Sequence, residues 1–182
     1  MAAKYWLAYI GLLISGCSTP GLSAFNANQR EWHIERYTTQ TTKFASCALL
    51  SHEQTFSSDA GTVRINIQIR NDGIVSIVAD QNSFDPAVQH EMSLQVDSGA
   101  PALAPQLRAN HRELTFSAST SARIIDELMG GKTLRAQFAL APRKELLTAV
   151  FSLNTFRDAL REYRMCEVFR AQQATTAASR QN

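Results

Sequence analysis

The sequence contains few residues of the kinds that metal sites and catalytic motifs require. Only three cysteines and four histidines occur in 182 residues. Neither Cys47 nor Cys166 has a second cysteine or a histidine at metal-ligand spacing, and no serine lies in a G-x-S-x-G elbow. The histidines do not lie at such spacing either; they are His33, His52, His90 and His111. We therefore predict no metal, no cofactor and no catalytic residue.

The chain also lacks an excess of either charge. It has 18 lysines and arginines against 16 acidic residues, and the basic count falls to 17 without Lys4. No basic cluster stands out along the sequence. Because nucleic-acid binding depends on concentrated positive charge, the balance gives no electrostatic case for a nucleic-acid partner. It also predicts no basic patch for a lipid surface.

The apolar run near the N-terminus is too short to span a bilayer by itself. It covers Tyr5 to Ile14 and follows a short segment with one positive charge, Lys4. A signal peptide has this order of a basic segment, an apolar segment and small residues. A short membrane anchor and a buried core helix are the alternatives, but glycines and the turn-forming residues after Gly16 disfavour a helix there.

The stretch Leu13-Ile14-Ser15-Gly16-Cys17 resembles the lipobox of bacterial lipoproteins. The resemblance implies removal of residues 1–16 and acylation of Cys17. Several acyl chains hold a protein stably on a membrane, whereas one chain binds only marginally. Because Ser18 follows the cysteine, the enterobacterial sorting rule favours an outer-membrane lipoprotein, and we expect it to face the periplasm.

The two remaining cysteines, Cys47 and Cys166, are predicted to form a disulfide. A domain outside the cytoplasm is in an oxidising compartment, where cysteines pair. The bridge would close a loop of more than a hundred residues, which favours a large entropic stabilisation. Two free, buried thiols are the alternative, since spacing alone does not place their Cα atoms close together.

Alternating apolar and polar residues predict a mainly β fold. The clearest strand is Thr62–Arg70, in which Val63 and Ile65 begin a single apolar face. Asn71-Asp72-Gly73 follows it as a hairpin turn. We predict an antiparallel β-sandwich of about eight strands with a short inserted helix and a C-terminal helix. A small barrel is the second choice.

The C-terminal helix is predicted after Asn154, a fair N-cap. Phe156, Leu160 and Tyr163 recur at helical spacing on one face, together with Cys166. We interpret this stripe as core, with a partner-binding face as the alternative. The predicted organisation is a signal peptide at 1–16, a tether at 17–29, a single β-sandwich-like domain at 30–171 and a disordered tail at 172–182.

Several stretches resemble the invasion-associated locus B family of envelope proteins. The family has a tryptophan-bearing first strand, a cysteine-bearing strand, a strand ending in Val-Asp, and a Ser-Leu-x-Gly-Phe segment before a small-residue helix, in which Thr155 stands in place of the glycine here. Here these are Glu31-Trp32-His33-Ile34, Cys47-Ala48-Leu49-Leu50, Leu94-Gln95-Val96-Asp97, and Ser152-Leu153-Asn154-Thr155-Phe156 with Ala159 and Leu160. The resemblance covers most of residues 30–165. It implies an envelope β-sandwich without catalytic residues, linked to host interaction.

Three functions are compatible with these features. The first is a non-enzymatic accessory or assembly factor that binds another protein in an envelope or secretion complex. The second is an inhibitor or immunity lipoprotein against a periplasmic enzyme. The third is an envelope hydrolase, which would need two facing carboxylates. Scattered acids near turns are more often solvated loop ends; they are Asp80, Asp85, Glu91 and Asp97.

Replacing Cys17 by alanine tests the predicted lipid anchor. Cys17→Ala removes the thiol that would accept the diacylglycerol, so we expect unprocessed precursor without acyl chains. Mass spectrometry of the purified chain and labelling with a fatty-acid probe would measure this. Normal maturation of the Cys17→Ala chain would refute the prediction.

Overall fold

The computed structural model describes residues 31–38, 45–58, 61–81, 84–103 and 105–179. Their strands form two antiparallel sheets, joined by one short helix and followed by a C-terminal helix, consistent with a β-sandwich. The predicted fold class is therefore confirmed. The predicted signal peptide, the tether and Cys17 lie outside the described residues.

The larger sheet has seven strands. They are β1 Trp32–Thr38, β2 Ala45–Ser51, β3 Gln54–Ser58, β4 Gly61–Ile69, β5 Val75–Ala79, β8 Gln106–Leu107 and β9 Glu113–Thr115. Their order in the sheet is β1-β2-β4-β5-β9-β8, and β3 pairs with β4 outside this path. All of these pairings are antiparallel.

The smaller sheet has four strands, β6 Ser93–Val96, β7 Ala102–Leu103, β10 Thr133–Ala139 and β11 Leu146–Ser152. Their order in the sheet is β11-β10-β6-β7, and all pairings are again antiparallel. Helix α1, Ala118–Gly130, lies between β9 and β10 in the chain, and helix α2, Phe156–Ser179, follows β11. None of the described helices is long and apolar enough to cross a bilayer.

The core lies between the inward faces of the two sheets. On β4, Val63, Ile65 and Ile67 are buried while the residues between them are not, as the alternation predicts. On β10, Phe138 is buried, and its ring stands edge-on to Phe56 at a centroid distance of 5.0 Å. Aromatic pairs favour this geometry because the positive ring edge meets the negative ring face.

The described residues contain eleven strands, more than the eight or so predicted. The additional ones are short. Strand β3 has a single large apolar residue, Phe56, among polar neighbours, so its sequence carries little alternation. Strands β7 and β8 have two residues each and lie at sheet edges, in a segment with two prolines, Pro101 and Pro105, which shorten strands.

A 3-10 helix, Pro86–Glu91, precedes β6 and shortens it. The alternation of His90, Met92, Leu94 and Val96 is typical of one strand, but β6 starts only at Ser93. The Asp85 carboxylate accepts a hydrogen bond from the Ala87 N–H at 2.8 Å, and a proline follows it. Both features start a helical turn, and this local geometry overrides the alternating pattern.

Helix α2 is longer than predicted. It begins at Phe156, two residues after the expected cap Asn154, and extends through Ser179. The prediction of a disordered tail from Gln172 is therefore wrong for the residues up to Ser179. The segment from Ala171 is rich in alanine, the residue with the highest helix propensity, so the helix continues where no core residue is required.

Trp32 joins the first sheet to the end of the second one. Its indole N–H donates to the Ser152 carbonyl at 2.8 Å, and its backbone N–H donates to the Thr155 hydroxyl at 3.2 Å. Its ring stands edge-on to Phe156 at 4.9 Å. Because the side chain is fully buried, these contacts fix where α2 begins relative to β1.

Truncating Trp32 is expected to destabilise the domain strongly. Trp32→Ala should lower the free energy of unfolding by about 3–5 kcal/mol, since it leaves a large cavity. Trp32→Phe keeps the ring contact and loses the indole hydrogen bond, so it should lower the free energy of unfolding by about 1–3 kcal/mol. Urea unfolding measures both. His33→Ala, at an exposed position of the same strand, is the control, and an equal effect of Trp32→Ala and His33→Ala would contradict this role.

Candidate functional site

A groove of about 520 Å³ runs along the outer side of α2, next to the end of α1. Its volume lies within the range of ligand-binding clefts, about 300–1,000 Å³. Most of its lining is apolar. The described residues that line it are Met129, Arg157, Leu160, Arg161, Arg164, Met165, Val168, Phe169 and Gln172.

The groove exists because α2 uses only one face to contact the core. Phe156, Leu160 and Tyr163 are buried against the sheets. Met165, Val168 and Phe169 lie further along the helix and point to solvent, with 53%, 56% and 65% of their surface exposed. Three large apolar side chains left in water along one helix mark a surface that another molecule can cover.

Three contacts hold the middle of α2 against the larger sheet. The Tyr163 hydroxyl donates to the Arg70 carbonyl at 2.6 Å. The Sγ atoms of Cys47 and Cys166 lie at disulfide-bonding distance, with a Cα–Cα separation of 6.5 Å. A third side chain of the same helix, Glu167, accepts a hydrogen bond from the Cys47 N–H at 3.4 Å.

The end of α1 forms the other wall of the groove. Helix α1 ends at Gly130, and its last carbonyl groups lie beside the start of α2. The guanidinium of Arg157 donates to the Met129 carbonyl. Gly131 follows, and a Cβ atom there would overlap the side chains of Val96 and Leu153. The close approach permitted by glycine thus places the end of α1 against β6 and against the residue that follows β11.

The groove carries positive charge. Arg157, Arg161 and Arg164 line it, and no described lining residue is acidic. Asp158 lies outside the lining, 3.6 Å from Arg161, and both side chains are about three-quarters exposed. Exposed ion pairs of this kind contribute little, so the guanidinium group of Arg161 stays available to an anionic group. Arg157 uses its Nε–H on the Met129 carbonyl and keeps its terminal N–H groups for such a partner.

The structure assigns the predicted site residues to different roles. The Cys47 and Cys166 side chains meet, as the sequence predicted. Phe156, Leu160 and Tyr163 are part of the core, in agreement with the first interpretation of this stripe. Leu160 also lines the groove, so the alternative of a partner-binding face is wrong only for Phe156 and Tyr163. The exposed apolar residues on α2 were not predicted. Val168 and Phe169 follow Met165 by three and four residues, which is a helical spacing, but this signal lay outside the core stripe.

The histidines lie on different elements and turns of the fold. His33 is exposed on β1, His90 is exposed at the end of the 3-10 helix, and His111 lies in a turn with a positive φ of 52°. His52 is half-buried, with its ring edge-on to Phe151 at 5.6 Å. Among the described residues, no group of three His, Cys, Asp or Glu side chains is placed to hold a metal ion.

The acidic residues near turns support the backbone. The Asp97 carboxylate accepts hydrogen bonds from the backbone N–H groups of Thr133, at 2.8 Å, and Lys132, at 3.1 Å. These bonds lower the pKa of Asp97 because they favour its charged form. Burial would raise the pKa of Asp80, but the backbone N–H and the guanidinium of Arg64 outweigh it and lower that pKa. The general acid of a hydrolase needs a raised pKa, so Asp80 and Asp97 give the hydrolase hypothesis no support.

Fold and site together define a class: an antiparallel β-sandwich with a C-terminal helix that presents a basic, largely apolar groove. Comparison of the chain with protein-family models, with curated proteins and with solved structures gave no match. The resemblance to the invasion-associated locus B family therefore stays a prediction.

The Cys47–Cys166 pair is expected to be a disulfide that stabilises the domain. Peptide mapping without reductant should show the two peptides linked. Cys47→Ser, Cys166→Ser and the double variant should each lower the free energy of unfolding by about 2–4 kcal/mol, because each frees the same long loop in the unfolded chain. The double variant serves as the control for independent effects. Alkylation of both thiols in the native protein would contradict the bridge.

Proposed function

We propose that this protein is a lipid-anchored envelope protein that binds another protein through the groove beside α2. In this role it acts as an accessory or assembly factor of an envelope or secretion complex. The lipobox-like stretch ending at Cys17 supports the anchor. The observation that carries the binding role is the exposure of Met165, Val168 and Phe169 on a helix whose other face is already buried.

A protein partner fits this surface because the groove combines an apolar lining with charged sides. Arg157, Arg161 and Arg164 can pair with acidic side chains, which gives the complex an orientation. Apolar side chains such as Val168 and Phe169 supply the area that leaves water on binding. Interfaces commonly have this composition, with apolar, methionine and arginine residues at their centre.

Photo-crosslinking at single positions tests the proposal. A photoreactive residue at Met165 or Val168 should give the same discrete adduct in intact cells, identified by mass spectrometry. The same residue at Leu103 or Val150, which are also apolar and about half exposed, should give none of it. The matched positions separate docking at the groove from general adhesion to apolar surface.

A second change in the same molecule makes the test specific. Phe169→Glu places a charge in the apolar part of the groove and should abolish the adduct formed at Val168. Leu103→Glu makes the matched change on β7 and should leave it intact. Because both side chains are well exposed, neither change should alter folding stability by more than about 0.5 kcal/mol. Adducts of equal strength at all four positions, or at none, would contradict docking at the groove.

A further inference from the structure

The three arginines of the groove form a row along α2. Arg157, Arg161 and Arg164 are separated by four and three residues, so they lie on one side of the helix. At 1.5 Å per residue the row spans about 10 Å, or two helical turns. The apolar residues Met165 and Val168 continue the groove beyond it. The surface therefore has a charged part and an apolar part in sequence along one axis.

We propose that this groove binds an amphipathic helix of the partner protein that carries acidic residues beside its apolar stripe. The inference rests on the proposed function and names the partner's recognised element. A helix presents apolar side chains every three or four residues, which matches a groove running along another helix. Carboxylates one turn apart on such a helix would face the guanidinium groups of Arg157, Arg161 and Arg164.

Charge and shape distinguish this occupant from the two others that such a surface could bind, a second copy of the chain and an anionic membrane. A second copy of the chain would bring its own arginine row against the first, and like charges brought together weaken a complex. An anionic membrane would also attract the arginines. It is a flat surface, however, whereas Leu160 and Met129 line a recess between two helices. An inserted stripe of side chains fills that recess.

Two peptides of 18 residues test the proposal directly. Both carry the same leucine stripe at helical spacing; one has glutamates beside the stripe, and the other has lysines. Binding to the full acylated chain in detergent micelles is followed by fluorescence anisotropy. The glutamate peptide should bind about tenfold more tightly than the lysine peptide, and added salt should reduce the difference.

Charge reversal assigns the preference to the groove. The double variant Arg161→Glu, Arg164→Glu should reverse the preference between the peptides, and Arg161→Gln, Arg164→Gln should remove it. Arg135→Glu, at an exposed position on β10, is the matched control and should leave it unchanged. Circular dichroism and thermal unfolding confirm that the variants are folded, which is expected because Arg161 and Arg164 are exposed.

The results that would contradict the acidic-helix proposal differ from those that would contradict the proposed function. Equal binding of both peptides, binding of neither, or a preference unchanged by the double variant would overturn the acidic-helix proposal. Binding only to phosphatidylglycerol vesicles, or self-association of the unchanged chain that Phe169→Glu abolishes, would overturn it in favour of a membrane or a second copy. In each of these cases crosslinks at Val168 to a protein partner would still report independently on docking at the groove.

Discussion

The attachment of α2 to the larger sheet is the constraint on which the rest of the structure depends. Trp32 fixes its first residue through the ring contact with Phe156. The Tyr163 hydroxyl fixes its middle by donating to the carbonyl of Arg70, the residue that directly follows β4. The Cys47–Cys166 pair holds the next turn. Rotation of the helix about its axis would break all three contacts, so they decide which face meets solvent.

This attachment also explains why the helix has two unlike halves. The first half covers the sheets, and its apolar residues are buried there. The second half continues beyond Cys166, where its large side chains such as Val168 and Phe169 meet solvent. The exposed apolar residues would be a solubility cost in a free protein. The proposed complex would cover this surface and so remove the cost.

Sequence patterns predicted the parts of the fold that depend on local periodicity. Strand β4 was predicted because each alternate residue faces the core, and the cysteine pair because a domain outside the cytoplasm is in an oxidising compartment. The groove was not predicted, because it combines Met129 with α2 residues that follow it by 28 positions or more. The helix that carries Arg157, Arg161 and Arg164 was predicted. Their row was missed because the whole chain is nearly neutral, and because the groove they line needs a second helix.

Hydrogen–deuterium exchange of α2 is the measurement that tests the account most directly. In the purified protein, backbone amides from Ala159 to Cys166 should exchange slowly, and those from Val168 to Gln172 faster, since only the first group lies over the core. In native membranes that contain the partner, the amides from Val168 to Gln172 should become protected. Protection that appears instead at the sheet edges, with α2 unchanged, would contradict the claim that the outer face of this helix is the docking surface.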